Sequence, residues 1–284
     1  MRTYLDCYPC FLRQSIEAAR KAGASQDQQK SIVRQTLEIL KNISDRATPP
    51  EIGTRVHETV RSMTGHEDPY QQVKQRARSE AFSMLPRLRE LVEEAEDPLD
   101  TALRISIAGN IMDFGPNPDY ELWEVVERIL HQEIAIDDSD LLRGKLAGVD
   151  RVLFLGDNVG ESVFDMLLIE TLRRPVTYVV RGGPVLNDTT REDAIAIGMT
   201  DVAEVIDNGS RVPGTILSIC TPEFQTRFSE ANLILAKGMG NFETLSEIDA
   251  PLFFLLQVKC PTISDIIGVP VGSIVIKSGL GIEQ

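Results

Sequence analysis

Two short stretches of this chain gather oxygen-bearing side chains in a pattern that suits a metal ion. The apolar run Arg151 to Gly156 ends in Asp157-Asn158-Val159-Gly160-Glu161. About one helix later a second run, Val176 to Arg181, leads through Gly182-Gly183-Pro184 into Asn187-Asp188. The first run reads as a fully buried strand, with Gly156 allowing a sharp turn at its end. Repeating strand, acid or amide, then helix sets Asp157, Asn158 and Asp188 at the carboxyl edge of one parallel sheet, where open α/β sheets hold their ligands. Two carboxylates and an amide oxygen, with little sulfur or imidazole nearby, suit a hard cation such as Mg²⁺ or Mn²⁺. That points to metal-assisted chemistry, with Glu161 orienting a ligand or a water. A plainer reading stands beside it: Asp157 or Asn158 caps the following helix, and Asp188 caps the next. Thr189 already suits that second cap, so an acid beside it is redundant for capping.

Further residues extend the pattern. Arg181 and the Gly182-Gly183-Pro184 loop leave room for a substrate to approach the backbone. Lys237-Gly238-Met239-Gly240-Asn241 follows the run Ala231 to Ala236; glycines that expose N–H groups beside a lysine suit a phosphate. It is not a Walker loop, since the glycines follow the lysine and no Ser or Thr adjoins it; an ordinary glycine turn with a solvated lysine fits equally. Asn110 either ends an apolar helix in left-handed geometry or projects toward the sheet edge. Cys7-x-x-Cys10 lacks the strand that precedes a thioredoxin-type pair. Two packed thiols, a structural metal site joining Cys260, and a reversible disulfide all remain open for it. His57, His66 and His131 show no ligand spacing.

The elements that must position these residues divide at about residue 98. Residues 1–98 read as an all-helical subdomain. A capping box at Ser25 to Gln28 opens one of its helices, and Asp68-Pro69 opens a long charged one. Residues 99–284 read as the α/β metal-binding catalytic domain. An apolar helix from Leu99 to Ile111 leads into candidate strands at 151–156, 176–181, 202–206, 231–236, 251–258 and 272–277. Helical stretches lie between most of them, with starts at Thr189 to Glu192 and Thr221-Pro222. The alternation specifies a doubly wound, mainly parallel sheet in a Rossmann-like three-layer arrangement.

At 284 residues with 42% hydrophobic and 25% charged residues, the chain has an ordinary globular composition. A net charge of −14 argues against a nucleic-acid groove. No run is long enough to span a membrane. Four cysteines without a secretion signal suggest the cytoplasm.

Taken together, Cys7-x-x-Cys10, Asp68-Pro69-Tyr70, Gly109-Asn110 through Asp113, Gly156 to Glu161, Pro184 to Asp188, Lys237 to Glu243 and Lys259-Cys260 resemble the metal-dependent damage-control phosphatases. That family is also catalogued as domain of unknown function 89, and the cysteine pair resembles its mainly prokaryotic branch. The resemblance spans nearly the whole chain. It implies that Asp157, Asn158 and Asp188 ligate a divalent metal (Mg²⁺, Mn²⁺, Co²⁺ or Ni²⁺). It also implies that Lys237, Gly238 and Gly240 hold the phosphate and that Asn110 lines the pocket. The substrates it implies are small phosphomonoesters, sugar phosphates or phosphopantetheine-type metabolites. A nucleotide- or methyl-donor-binding transferase is the main rival, but its Gly-x-Gly-x-x-Gly run is missing. A non-enzymatic interaction protein using the helical region is the third reading; it predicts that Asp157 and Asp188 are dispensable.

Overall fold

The computed structural model describes residues 1–110, 122–280 and 282, and in it the apolar runs become strands of a single sheet. In chain order these are β1 (Ile134–Asp137), β2 (Val152–Leu155), β3 (Val176–Val180), β4 (Glu204–Asp207), β5 (Ile234–Lys237), β6 (Leu252–Gln257) and β7 (Ile274–Ser278). Their spatial order is β1-β7-β6-β5-β2-β3-β4. From β6 through β4 every pairing is parallel, whereas β7 runs antiparallel to β6 and β1 follows β7. Every residue of β2, β3, β5 and β6 is buried. Their near-continuous Val, Ile, Leu and Phe composition reflects burial on both faces. All six anticipated strands are present. β1, the additional one, is a four-residue edge strand with alternating burial, its Ile-Ala-Ile run set between Glu133 and Asp137.

The helices are α1 (Cys7–Lys21), α2 (Gln26–Lys41), α3 (Pro49–Thr64), α4 (Gln71–Glu94), α5 (Pro98–Gly109), α6 (Leu122–His131), α7 (Ser139–Ala147), α8 (Val159–Leu172), α9 (Arg191–Ala196), α10 (Pro222–Ser229), α11 (Gly238–Leu245) and α12 (Pro261–Ile267). Capping boxes at Ser25 and Thr48 open α2 and α3, and Thr221 accepts from the Phe224 N–H to open α10. Asp68 precedes α4 instead of capping it: its carboxylate accepts from the Tyr70 N–H at 3.1 Å and pairs with Lys74 at 2.7 Å. Small apolar clusters hold α1 to α3 together, one of Phe11, Leu40, Ile52 and Val56, another of Ala18, Ala19, Ile32 and Val60. By contrast, Ala81, Leu88 and Val92 of α4 join the core that α5 and α8 form against one face of the sheet. Each fully buried leucine there contributes about 1.5–3 kcal/mol of transfer free energy. The opposite face packs on Phe224, Phe228, Phe242, Leu245 and Ile263, completing the three layers.

Topology sets the place of the site. From β2 the chain steps outward through β3 to β4, then returns to lay β5 and β6 on the other side of β2. This reversal opens a crevice above the carboxyl ends of β2 and β5, the general ligand position in open α/β sheets. Asp157 follows β2 and Gly238 follows β5, so both stand at that crevice. Among the described residues, no helix is long and apolar enough to cross a membrane.

Candidate active site

Backbone pairing brings the three anticipated ligands together. The loops after β2 and β3 are stitched by Val159 N–H donating to Asn187 O at 3.0 Å and Thr189 N–H donating to Asp157 O at 2.8 Å. Asn158 and Asp188 thereby face each other across a short antiparallel bridge. Asn158 is also the N-cap residue of α8, so capping and site positions coincide. Thr189 does not cap α9; Thr190 does, with Asp193 returning the bond. The start shifts by one residue because the chain is still extended at Thr189, whose buried hydroxyl lies 2.6 Å from that of Ser162.

Arg181, 1% exposed, sends Nε to Asp188 Oδ2 at 2.7 Å and Nη2 toward Asp157 Oδ1 at 3.5 Å. Its role is therefore to orient the two acids. In the loop after it the glycines answer to close packing on the side where a Cβ would stand: Gly182 lies there against the Gly209 and Ser210 backbone, and Gly183 against the Arg211 side chain. Gly156 has a similar reason for being glycine, since a Cβ there would come within 2.5 Å of the Tyr178 hydroxyl. Close packing, not the anticipated turn, excludes a side chain at that position.

Asn110 reaches the site through a helix contact. A Cβ on Gly109 would sit 3.0 Å from the Glu161 Cα, so α5 lies close on α8 and delivers the next residue to the crevice. Asn110 ends α5 in right-handed geometry. Its Nδ2 donates to Asp157 Oδ2 at 3.1 Å and to Glu161 Oε2 at 2.9 Å. Its Oδ1 is buried without a hydrogen-bond partner among the described residues. The rest of that sequence stretch, 111–113, lies outside the described residues.

Lys237 departs from the role expected of it. It is fully buried, and its ammonium lies 2.9 Å from Ser106 O, 2.7 Å from Ser106 Oγ and 2.8 Å from Asp165 Oδ1, with Glu161 Oε1 as a further ion-pair partner. Three protons thus meet four acceptors, which leaves none for a phosphate. Burial works against its charge, but Asp165 and Glu161 outweigh that and hold its pKa above the usual lysine value. Gly240 is also displaced from its anticipated role: its missing side chain admits the Pro213 carbonyl. Gly238 keeps its place, with φ +75° and a position where any Cβ would collide with Asp157 Oδ2.

Four carboxylates, Asp157, Glu161, Asp165 and Asp188, therefore share two buried cations, Arg181 and Lys237. Burial, then the charges of Asp188 and Glu161, raise the Asp157 carboxyl well above the usual carboxylate range, against the fields of Arg181 and Lys259. Burial likewise raises Glu161, despite its pairing with Lys237. Among the described residues no three His, Cys, Asp or Glu side chains form a metal cluster; the candidate set is two carboxylates and one amide. These donors fit a hard divalent cation on three grounds: all are oxygens, the four carboxylates outnumber the two buried cations, and Asn110, bonded to Asp157 through Nδ2, has an Oδ1 with no partner among the described residues.

Sequence reading missed Asp165, Ser106, Tyr178 and Ser162. The available signal was polarity inside apolar helices: Glu161 and Asp165 stand one turn apart in α8, nearly all of which is buried. The cysteines lie elsewhere. Cys7 and Cys10 occupy the first turn of α1 and all four thiols are free. Burial raises the pKa of Cys7 and of Cys260.

Comparison with known proteins bears on family and fold. The family model for the damage-control phosphatase ARMT1-like domain matches residues 3–275. A protein of Archaeoglobus fulgidus named damage-control phosphatase is 36% identical, over 95% of this chain and 97% of its own. A Pyrococcus horikoshii protein bearing the same family name is 32% identical over 97% of both. An uncharacterized protein of Methanocaldococcus jannaschii is 34% identical, over 94% of this chain and 92% of its own. The crystal structure of a DUF89 family protein from P. horikoshii superposes with a TM-score of 0.90 at 31% identity, covering 98% of this chain and 99% of that one. The chain belongs to the damage-control phosphatase ARMT1-like family.

Proposed function

We propose that the chain is a divalent-metal-dependent phosphatase acting on small phosphomonoesters, sugar phosphates or phosphopantetheine-type metabolites, in the removal of damaged or harmful metabolites. Its relatives' names support the hydrolase class. The observation that carries the metal dependence is geometric: Asn158 and Asp188 face each other across one bridge beside Asp157, and the Asn110 Oδ1 next to them is buried with no hydrogen-bond partner among the described residues. Asp157, Asn158 and Asp188 would hold the ion. When bound, a divalent cation supplies a Lewis acid that polarises a phosphoryl oxygen.

The protein's own groups do the rest. Arg181 fixes the orientation of the Asp188 carboxylate through a 2.7 Å bond. Asn110 bridges Asp157 and Glu161, holding both carboxylates in register. Phosphoryl oxygens meet the first-turn N–H groups of α11, which lack intrahelical partners and carry the positive end of the helix dipole. Gly238 keeps that approach open. Lys237 does not touch the phosphate; it positions Glu161 from behind. The attacking group is a water oriented at the crevice, with Glu161 beside it. Four free thiols suit action in a reducing cytoplasm.

The test is hydrolysis by chelator-stripped protein of an aryl phosphate and a panel of sugar phosphates, with Mg²⁺, Mn²⁺, Co²⁺ or Ni²⁺ restored singly. Phosphate release requires added metal, and Asp157→Ala or Asp188→Ala abolishes it in folded protein. Turnover that survives both substitutions overturns the proposal.

A further inference from the structure

One buried acid belongs to no step above. Asp165, on α8, has neither crevice exposure nor contact with Asp157, Asn158 or Asp188 among the bonds described. Yet hydrogen bonds run from it to both loops of the site. Its Oδ1 accepts from Lys237 at 2.8 Å and from the Ser106 hydroxyl at 2.7 Å. Lys237 then pairs with Glu161, whose other oxygen accepts from Asn110, and Asn110 donates in turn to Asp157. Its Oδ2 accepts from the Tyr178 hydroxyl at 2.8 Å. That hydroxyl also lies 2.8 Å from Ser162 Oγ, which is 2.6 Å from Thr189 Oγ1. Thr189 adjoins Asp188 and donates its N–H to Asp157 O.

We infer that Asp165 is a positioning residue of this site, a single anchor from which one arm of hydrogen bonds sets Asp157 through Lys237, Glu161 and Asn110 while the other sets Asp188 through Tyr178, Ser162 and Thr189. Three features argue for this over simple filling of the core. First, a fully buried carboxylate carries a desolvation cost that an apolar residue of similar size avoids. Second, Lys237 has four acceptors for three protons, so Asp165 decides which way the ammonium leans and hence where Glu161 rests. Third, the two arms leave opposite oxygens of one carboxylate and end on the two loops that carry the candidate ligands. Tilting Asp165 would move both loops together. Outer-shell partners of this kind commonly affect metal affinity or turnover by about 10–100-fold.

The inference rests on the phosphatase reading, and the experiment separates the two. Asp165→Asn keeps shape and removes one acceptor and the charge. In folded protein it lowers kcat by about 10–100-fold with KM changed less than about threefold, and weakens Mn²⁺ binding, measured by calorimetry, by at least about tenfold. In a Glu161→Gln background the same substitution costs less than in the parent, about tenfold at most, because only its Tyr178 arm is left to cut. A merely structural role lowers the melting temperature but leaves the Mn²⁺ affinity in place and multiplies with Glu161→Gln. Should Asp165→Asn not fold, Tyr178→Phe carries the test: it removes only the second arm, and kcat falls by about tenfold. Parent-like turnover and Mn²⁺ affinity in the folded Asp165 variant, or in Tyr178→Phe, overturns the inference alone. A parent protein inactive with every metal and substrate overturns the phosphatase reading and this inference with it.

Discussion

Asp157→Asn exchanges function for stability, and the sign of that exchange depends on metal. In the metal-free protein Asp157 has only 13% of its side chain exposed, and it sits beside Asp188 and Glu161 with one long contact from Arg181 at 3.5 Å. Burial and like charge raise its pKa well above the usual value. A carboxyl raised on folding contributes stability below its unfolded pKa and loses it as pH rises through the folded value. At pH 8 the parent has therefore lost stability that it holds at low pH, whereas Asn has no proton to lose and its amide still offers an oxygen to Asn110. Removing one buried carboxylate charge from a strained site is worth on the order of 1–2 kcal/mol. The metal-free variant is more stable than the parent by that amount at pH 8, and the gap closes toward pH 4. Manganese reverses the order. At a concentration 100 times its dissociation constant, a ligand that binds only the folded state adds about 2.7 kcal/mol. The parent gains this and the variant, missing a ligand, does not. Urea titrations of both proteins with chelator and with Mn²⁺, at pH 8 and pH 4.5, give the four comparisons. A metal-free variant less stable than the parent at pH 8, or equal stabilisation of both by Mn²⁺, refutes the charge argument.

Two further perturbations test other parts of the structure. Gly238→Ala places a side chain on a residue at φ +75° and into Asp157 Oδ2; left-handed geometry alone costs about 1–2 kcal/mol for a residue with a Cβ. Urea unfolding shows a loss of at least about 2 kcal/mol, with the collision added, and Mn²⁺ no longer stabilises the protein; parent-like values for both show that the close approach is absent. His57 is buried with its pKa lowered to about 4, by burial first and the Arg61 charge second. Between pH 6.5 and 4 the unfolded chain binds a proton that the folded protein refuses, so stability falls as pH drops through that window, by roughly 2–3 kcal/mol. His57→Gln removes this component, and parallel stability–pH profiles for parent and variant between pH 7.5 and 4.5 contradict it.

Strands and ligand loops were legible because their signals are local. Val152 to Leu155 and Val176 to Val180 are apolar on both faces since helices cover both, and that condition writes itself into consecutive residues. Asp157 and Asn158 follow β2 within three residues, and Asp188 comes eight residues after β3, so a strand assignment also places the candidate ligands near the sheet edge. Gly156 and Gly240 misled in a common way. Their glycine identity answers to Tyr178 and to Pro213, partners 22 residues downstream and 27 upstream, and nothing in the neighbouring sequence distinguishes such packing from a turn or a phosphate loop.

Lys237 shows why charge is harder to read than fold. Beside two glycines and after a strand, a lysine has the local features of a phosphate contact. Its actual direction is set by Ser106 and Asp165, which come from α5 and α8, and by the closeness of those helices at Gly109. A long flexible side chain can lie along either side of the strand end, so the destination of its ammonium depends on which acid is nearer. Here the acids on α8 lie one turn apart, and the ammonium sits between them, fully buried. The same lysine facing the crevice would leave Glu161 and Asp165 buried and unpaired, a cost of several kcal/mol. That cost makes the inward position the stable one. The crevice is left with more carboxylates than cations, the setting that the proposed divalent cation would neutralise.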